Sequence, residues 1–372
     1  MTVIKSKDPI FIIGVPRSGT TLLTSYLVSH SDITSGPETQ FFNKIAEDKN
    51  ALDKALSNEN WPNYAYNLMR EKLTLSNVSV LDLYGKSERD ILDYLSNRSP
   101  SLGVMLESIV SPSSDISSSN RWLEKTPNHI NHLDEIRHHF PSAKIILIHR
   151  DPRDSAASIA KLPWATKSTI ANALLIEKWL SNTYSDFKES SNCHTVSYEK
   201  LVLDTEQELK KVFSFLGEAY DSDILNRKNA SDVTTDAEPW KKDVHQKIDV
   251  NHISLWRDRE DPHVLQQIES IMRTCLSFFS YKKDIKDEVV NTQLIVVNKQ
   301  KFKGLDRFAE VLNNNRLVLT NEKTNTVLFY LESGHLVSVL KKALKLRLQS
   351  KTKVSFIGKK VLLAKFLGRY LD

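Results

Sequence analysis

A chain of 372 residues with 40% hydrophobic and 26% charged side chains and only 10 glycines has the make-up of an ordinary globular protein, long enough for one large α/β domain or a domain with an appendage. Its two cysteines, Cys193 and Cys275, are too few for a disulfide framework or a cysteine zinc site, and no apolar run approaches the ~20 residues that span a bilayer, so a cytoplasmic protein is the expectation. The net charge of +5 is unevenly spread: residues 335–372 hold eight lysines and two arginines against one aspartate, a net of +9, and the rest of the chain carries −4.

The first apolar run, Ile10–Ile13, follows Lys5 and Lys7 as in a secretion signal, but it is too short and a glycine loop interrupts it. It reads as a buried strand. Gly14 and Gly19 then stand at P-loop spacing, and Thr20–His30 has a helical pattern. A nucleotide triphosphatase carries lysine after the second glycine, for the β- and γ-phosphates; here Thr20-Thr21 follows. The substitution argues against triphosphate chemistry, and so against a P-loop kinase. What remains is a nest of backbone N–H groups at a helix N-terminus, suited to a smaller anion, with Arg17 as the fixed charge.

Past this helix lies Gly36-Pro37-Glu38-Thr39-Gln40-Phe41-Phe42, and later a serine-rich loop, Ser111–Ser119, which suits a surface insertion or a substrate-side lid. Glu124-Lys125-Thr126-Pro127-Asn128-His129 comes next, leading into a helical pattern over Ile130–Phe140. His129 and His132 share a spacing that a metal pair could use, but no third ligand is evident and structural roles are expected. The β-branched run Lys144–His149 is the clearest strand, and Asp151-Pro152 turns it into a helix over Asp154–Lys161. Further helical patterns cover Ile170–Lys188 and Thr205–Leu216, with a short strand, Cys193–Val196, between them. Strands alternating with helices specify a parallel, helix-covered sheet that binds ligands at the strands' carboxyl ends. Trp164, Trp179 and Trp256 read as core or interface residues.

From about Lys282 the pattern changes to short strands at Gln293–Val297, Arg316–Thr320 and Thr326–Tyr330, followed by the basic tail. In the tail Leu336, Val337, Leu340, Leu344 and Leu348, then Val361–Leu363, Phe366 and Leu367, recur at helical spacing among lysines. Such faces either bind anionic membranes or acidic partners, or dock on the protein's own body.

Pro16-Arg17-Ser18-Gly19-Thr20-Thr21 after a strand resembles the 5′-phosphosulfate loop of sulfotransferases that use 3′-phosphoadenosine 5′-phosphosulfate (PAPS). Four ordered motifs over about residues 8–260 carry the resemblance. It implies that Pro16, Arg17, Ser18, Gly19, Thr20 and Thr21 hold the 5′-phosphosulfate, and that Arg150 and Ser158, eight apart, grip the 3′-phosphate. A guanidinium fork suits phosphate, and a hydroxyl adds a donor. Tyr198 matches a family tyrosine beside the adenosine; Lys247 and Arg257 match a late basic segment too poorly to be included. Glu38 matches the base of the tyrosylprotein and heparan-type enzymes, and Phe41-Phe42 beside it favours the heparan type. Lys125 matches a lysine that approaches the sulfate bridge oxygen. Cytosolic small-molecule members have a histidine base where Pro127 stands here, so the proton falls to Glu38.

The resemblance therefore implies a central parallel β-sheet flanked by helices, a P-loop-like sulfotransferase fold, with a small C-terminal appendage. Residues 1–285 form the PAPS-dependent domain and 286–372 the appendage. The implied activity is in-line sulfuryl transfer from PAPS to an acceptor hydroxyl, with Glu38, Arg17 and Lys125 catalytic and no metal. The expected acceptor is a saccharide, with tyrosine, a lipid or a small phenol behind it. No nucleic-acid partner is expected, and the tail allows a peripheral membrane or acidic-partner contact.

Overall fold

In the computed structural model the described residues are 8–111, 121–162, 169–181, 190–227, 250–259 and 262–284, single positions between them, and four strands at 292–298, 319–321, 326–332 and 354–357. They divide into two compact units, residues 1–150 with 182–252 and residues 151–181 with 253–372.

The first unit is built on five parallel strands. β1 (Ile10–Gly14) leads through the glycine loop into α1 (Thr20–Leu27), and β2 (Ile33–Ser35) follows. A π-helical turn at Phe42–Ala46 opens a helical insert: α2 (Lys49–Leu56), α3 (Trp61–Lys72), the hairpin β3 (Thr74–Leu75) and β4 (Val78–Ser79), α4 (Val80–Leu83), α5 (Glu88–Ser96) and α6 (Leu102–Val110). The chain returns as β5 (Arg121–Lys125), crosses by α7 (Leu133–His139) to β6 (Lys144–His149), and after an excursion into the second unit adds β7 (Cys193–Ser197). The order β2-β5-β1-β6-β7, parallel throughout, places β1 in the centre.

The alternation of side chains along each strand sorts the core into two layers. Ile10, Ile12, Leu123, Ile146 and Ile148 meet Leu23 and Leu27 of α1 and Leu209 and Phe213 of the helix Thr205–Leu216. On the other parity, Phe11, Trp122 and Phe140 pack ring to ring at 5.4–5.5 Å.

The strands at Ile10, Lys144 and Cys193 lie where the hydrophobic pattern puts them. β2 and β5 do not announce themselves. β2 is three residues long, and β5 reads Arg-Trp-Leu-Glu-Lys, yet all five of its residues are buried. Arg121 at its start is 3% exposed because its guanidinium donates to the carbonyls of Asp8 and Leu216 and pairs with Glu218. Pro152 at the first position of α8 (Pro152–Ile159) starts that helix two residues before the expected Asp154.

The second unit contains α8, α9 (Thr169–Ser181), three helices over Trp256–Arg259, Pro262–Ile271 and Arg273–Phe278, and an antiparallel sheet ordered β11-β8-β10-β9. The sheet comprises β8 (Thr292–Asn298), β9 (Leu319–Asn321), β10 (Thr326–Glu332) and β11 (Val354–Ile357). β8 and β10 match expected strands, β9 shares Leu319 and Thr320 with the expected Arg316–Thr320, whose first three residues lie outside the described residues, and β11 arises inside the basic tail and pairs with β8. The two amphipathic runs on either side of it lie outside the described residues, as do Trp164, Lys247 and the serine loop beyond Ser111. Trp179 and Trp256 are core, as expected. The boundary at 285/286 falls inside this unit, between its helices and its sheet.

The unit's helical part is tied together by Arg153, 2% exposed. Its guanidinium pairs with Asp151 at 2.7 Å and with Glu269, and lies 3.7 Å over the Trp256 ring. Asp154 accepts from the backbone N–H groups of Ser254 (2.8 Å) and Trp256 (2.9 Å). Removing one partner of a buried charge cluster leaves the others uncompensated. Arg153→Ala is therefore expected to lower the free energy of unfolding by about 3–5 kcal/mol, read from equilibrium urea denaturation.

Candidate active site

Each of the five parallel strands runs out, at its carboxyl end, into a residue of the candidate site, as ligand sites in open parallel sheets require. β1 delivers the loop 15–19, β2 delivers Glu38, β5 ends on Lys125, β6 is followed by Arg150, and β7 by Tyr198.

The loop folds tightly. The Ser18 hydroxyl and N–H both donate to the Val15 carbonyl, at 2.8 and 3.3 Å, so Ser18 braces the loop from within. Arg17 and Gly19 take left-handed backbones, with φ of 70° and 98°. A methyl group on Gly14 would lie 2.5 Å from the Ile148 carbonyl, and one on Gly19 would lie 2.5 Å from the Tyr198 ring. Both glycines are thus required by close approach. Pro16 is half-buried, Thr20 buried and Thr21 half-buried at the start of α1, whose N-terminus has no side-chain cap and no acidic residue in its first turn. An uncapped helix end with a basic loop before it suits an anion.

Arg150, 8% exposed, donates to the carbonyls of Arg17 (3.3 Å) and His252, and its guanidinium lies 4.8 Å over the Tyr198 ring. The glycine loop, Arg150 and Tyr198 therefore meet as the sequence predicts. Ser158 is half-buried on α8, in the second unit. Arg257 is exposed and pairs with Asp284.

On the other side of the loop, Lys125 is fully buried. Its ammonium donates to Glu38 Oε1 at 2.9 Å and lies 3.5 Å from the Thr21 hydroxyl of α1. Three motifs separated in sequence converge on this one nitrogen. Glu38 Oε2 in turn accepts from the Gln40 side-chain amide at 2.8 Å.

The residues flanking Lys125 serve a different purpose. Glu124, of opposite parity along β5, accepts from the hydroxyls of Thr39 (2.7 Å) and Thr126 (2.6 Å) and from His129 Nδ1 (2.8 Å). Burial pushes its carboxyl up, but His129 and the two hydroxyls outweigh burial and hold it below the usual carboxylate range. The backbone N–H of Gln40 donates to Thr126 Oγ1, that of Phe41 to Thr39 Oγ1 and that of Phe42 to His129 Nε2. Side chains from two segments thus satisfy three consecutive N–H groups. His129 is a structural anchor. Its ring and that of His132 stand 6.4 Å apart, and among the described residues no cluster of three His, Cys, Asp or Glu could hold a metal ion.

Sequence reasoning reached Glu38, Lys125, Arg150 and Tyr198, but not Thr39, Gln40, Tyr84, the role of Glu124, or the His252 carbonyl. The Tyr84 hydroxyl donates to the Pro37 carbonyl at 2.8 Å, and its ring fills the space where a Gly36 side chain would be. Burial, then the nearby Glu124 and Glu38 carboxylates, pushes its phenol well above the usual tyrosine range, so it remains a neutral donor. Phe41 and Phe42 are 0% exposed, packed on each other and on His129. They are core residues.

The model of the sulfotransferase family matches residues 9–222. Protein-tyrosine sulfotransferase 1 of Danio rerio is 30% identical over 232 residues, 60% of this chain and 56% of that protein. Protein-tyrosine sulfotransferase 2 of Gallus gallus is 28% identical over 235 residues, 60% of this chain and 54% of that protein. The chain spans about half the length of these curated relatives. Among solved structures, the sulfotransferase domain of the Synechococcus PCC 7002 olefin synthase is similar with a TM-score of 0.51 at 19% identity, over 75% of this chain and 97% of that one. That likeness concerns the fold, which is the expected helix-flanked parallel sheet. With β1, the glycine loop, Glu38, Lys125, Arg150 and Tyr198 all inside the matched span, the chain belongs to the sulfotransferase family.

Proposed function

We propose that the protein transfers a sulfuryl group from PAPS to an acceptor hydroxyl, with Glu38 as base. The observation that carries this is the Lys125 ammonium set between Glu38 Oε1 and the Thr21 hydroxyl at the head of α1. It joins a proton acceptor, a cation and an anion-binding helix terminus at one point. PAPS supplies the sulfuryl group, and the site fits it. The uncapped α1 terminus and Arg17 suit the 5′-phosphosulfate, Arg150 suits the 3′-phosphate, and the Tyr198 ring suits the adenosine. Glu38 takes the acceptor's proton as the acceptor oxygen attacks sulfur, and the bond from sulfur to the bridging oxygen breaks to release 3′,5′-ADP. Lys125 and Arg17 counter the charge that grows on the bridging and sulfonyl oxygens.

The acceptor is a saccharide hydroxyl, as the motif resemblance implies, or a tyrosine phenol, as the names of the curated relatives suggest. The same proposal takes residues 1–285 as the transferase domain and 286–372 as its appendage, the tail's basic runs serving a membrane or acidic partner. A cytoplasmic setting goes with it, Cys193 and Cys275 both being free thiols. The test is a screen with radiolabelled PAPS against saccharides, tyrosine peptides, lipids and small phenols, beside thermal shifts with 3′,5′-ADP and with ATP–Mg²⁺. Label transfer to one class and stabilisation by 3′,5′-ADP are expected. Stabilisation by ATP–Mg²⁺ alone overturns the proposal in favour of a phosphotransferase.

Glu38→Ala is expected to lower turnover by ~10²–10⁴-fold while 3′,5′-ADP affinity stays near normal, because a base acts on the acceptor. Steady-state kinetics with isothermal titration checks both parts. Arg150→Ala is expected to weaken 3′,5′-ADP binding by ~1.5–3 kcal/mol and 5′-AMP binding far less, as measured by titration with each nucleotide. Equal losses would place the arginine away from the 3′-phosphate.

A further inference from the structure

We infer that Gln40 is a positioning residue that sets the orientation of the Glu38 carboxylate. The inference rests on the reading of Glu38 as the base, and it concerns a residue for which that reading supplies no role.

The final torsion of a glutamate side chain is broad and roughly two-fold, so a carboxylate held at one oxygen can still turn its plane. Lys125 holds Oε1, at 2.9 Å. The Gln40 amide holds Oε2 at 2.8 Å, and with both oxygens tied the plane has one orientation. A carboxylate offers about four lone-pair directions, and a proton is taken along one of them. Proton transfer requires that direction to point at the acceptor hydroxyl.

The backbone of Gln40 shows what this contact demands. Its φ is 53°, in the left-handed region that residues other than glycine and asparagine seldom enter. Such a conformation persists where its surroundings over-determine it. Here they do: the N–H groups of Gln40, Phe41 and Phe42 are fixed by Thr126, Thr39 and His129 at 3.2, 3.2 and 3.3 Å. The chain reverses within two residues, and the amide returns beside the carboxylate it followed. At 6% exposure Gln40 is not a solvated surface amide. Glycine would adopt the same backbone with no steric conflict, so it is the side chain that gives glutamine a use at this position.

The test compares Gln40→Gly and Gln40→Leu with wild type and Glu38→Ala, using radiolabelled PAPS and the acceptor class found by the screen. In Gln40→Gly, kcat is expected to fall on the order of 10–10²-fold, the scale of a misplaced catalytic group. KM for PAPS, 3′,5′-ADP affinity and the melting temperature are expected to stay at or near wild-type values. Gln40→Leu is expected to lose kcat similarly. A Gln40→Gly enzyme with wild-type kcat overturns the proposal, and so does a kcat loss matched by equal losses in nucleotide affinity and melting temperature. Wild-type turnover in Glu38→Ala removes the base reading and this proposal with it. Loss in Glu38→Ala with none in Gln40→Gly removes the positioning role alone. A crystal structure of Gln40→Gly with 3′,5′-ADP gives a readout that needs no acceptor. A rotated or split Glu38 carboxylate is expected, and a carboxylate unchanged from wild type overturns the proposal.

Discussion

An ammonium shut off from water is tolerated only beside a counter-charge, and the buried Lys125 obtains one from Glu38 at 2.9 Å. Much of the first unit's architecture follows from satisfying that pair. Lys125 stands on β5 next to the central strand β1, on the side chains' parity that faces α1. Glu38 is brought to it by β2, the neighbour of β5 on its other edge. The ion pair lies at the carboxyl end of three adjacent strands, beside the helix terminus that suits the donor's anion.

The pleat of β5 divides labour within a single motif. Lys125 turns to the α1 face, while Glu124 and Thr126 hold the turn at Thr39–Phe42 from the opposite side. A lysine in this place needs both neighbours, because the carboxylate it pairs with sits on a segment that has no regular structure of its own. Glu124 holds the Thr39, Thr126 and His129 side chains that accept from the backbone, and the hydrogen bonds of Lys125 and Gln40 fix the side chain.

Much of this was legible in the residues. Ile10–Gly14, Lys144–His149 and Cys193–Ser197 are apolar or β-branched enough to be recognised as strands, and the glycine spacing located the anion loop. β5 was not legible, because Arg121, Glu124 and Lys125 give it the composition of a surface turn. Their charges are met by partners distant in sequence, such as Glu218 for Arg121 and Glu38 for Lys125. For the same reason Tyr84 could not be found: no spacing rule joins it to Pro37, 47 positions away. Gln40 escaped notice because a left-handed backbone at glutamine has no signature in composition or periodicity. Phe41-Phe42, read as a mark of acceptor type, are core.

Glu38 and Lys125 are 87 positions apart in the chain, yet their strands are hydrogen-bonded neighbours. The helices α2–α6 and the β3–β4 hairpin hang between them as a closed excursion that leaves and re-enters at adjacent points of one sheet edge. An excursion of this kind can be lengthened, shortened or resurfaced over descent without changing the distance between Glu38 and Lys125. Tyr84 of the insert crosses the seam, with its hydroxyl on the Pro37 carbonyl and its ring against Gly36. Through that side chain, rewriting the insert would be felt on the segment that carries Glu38.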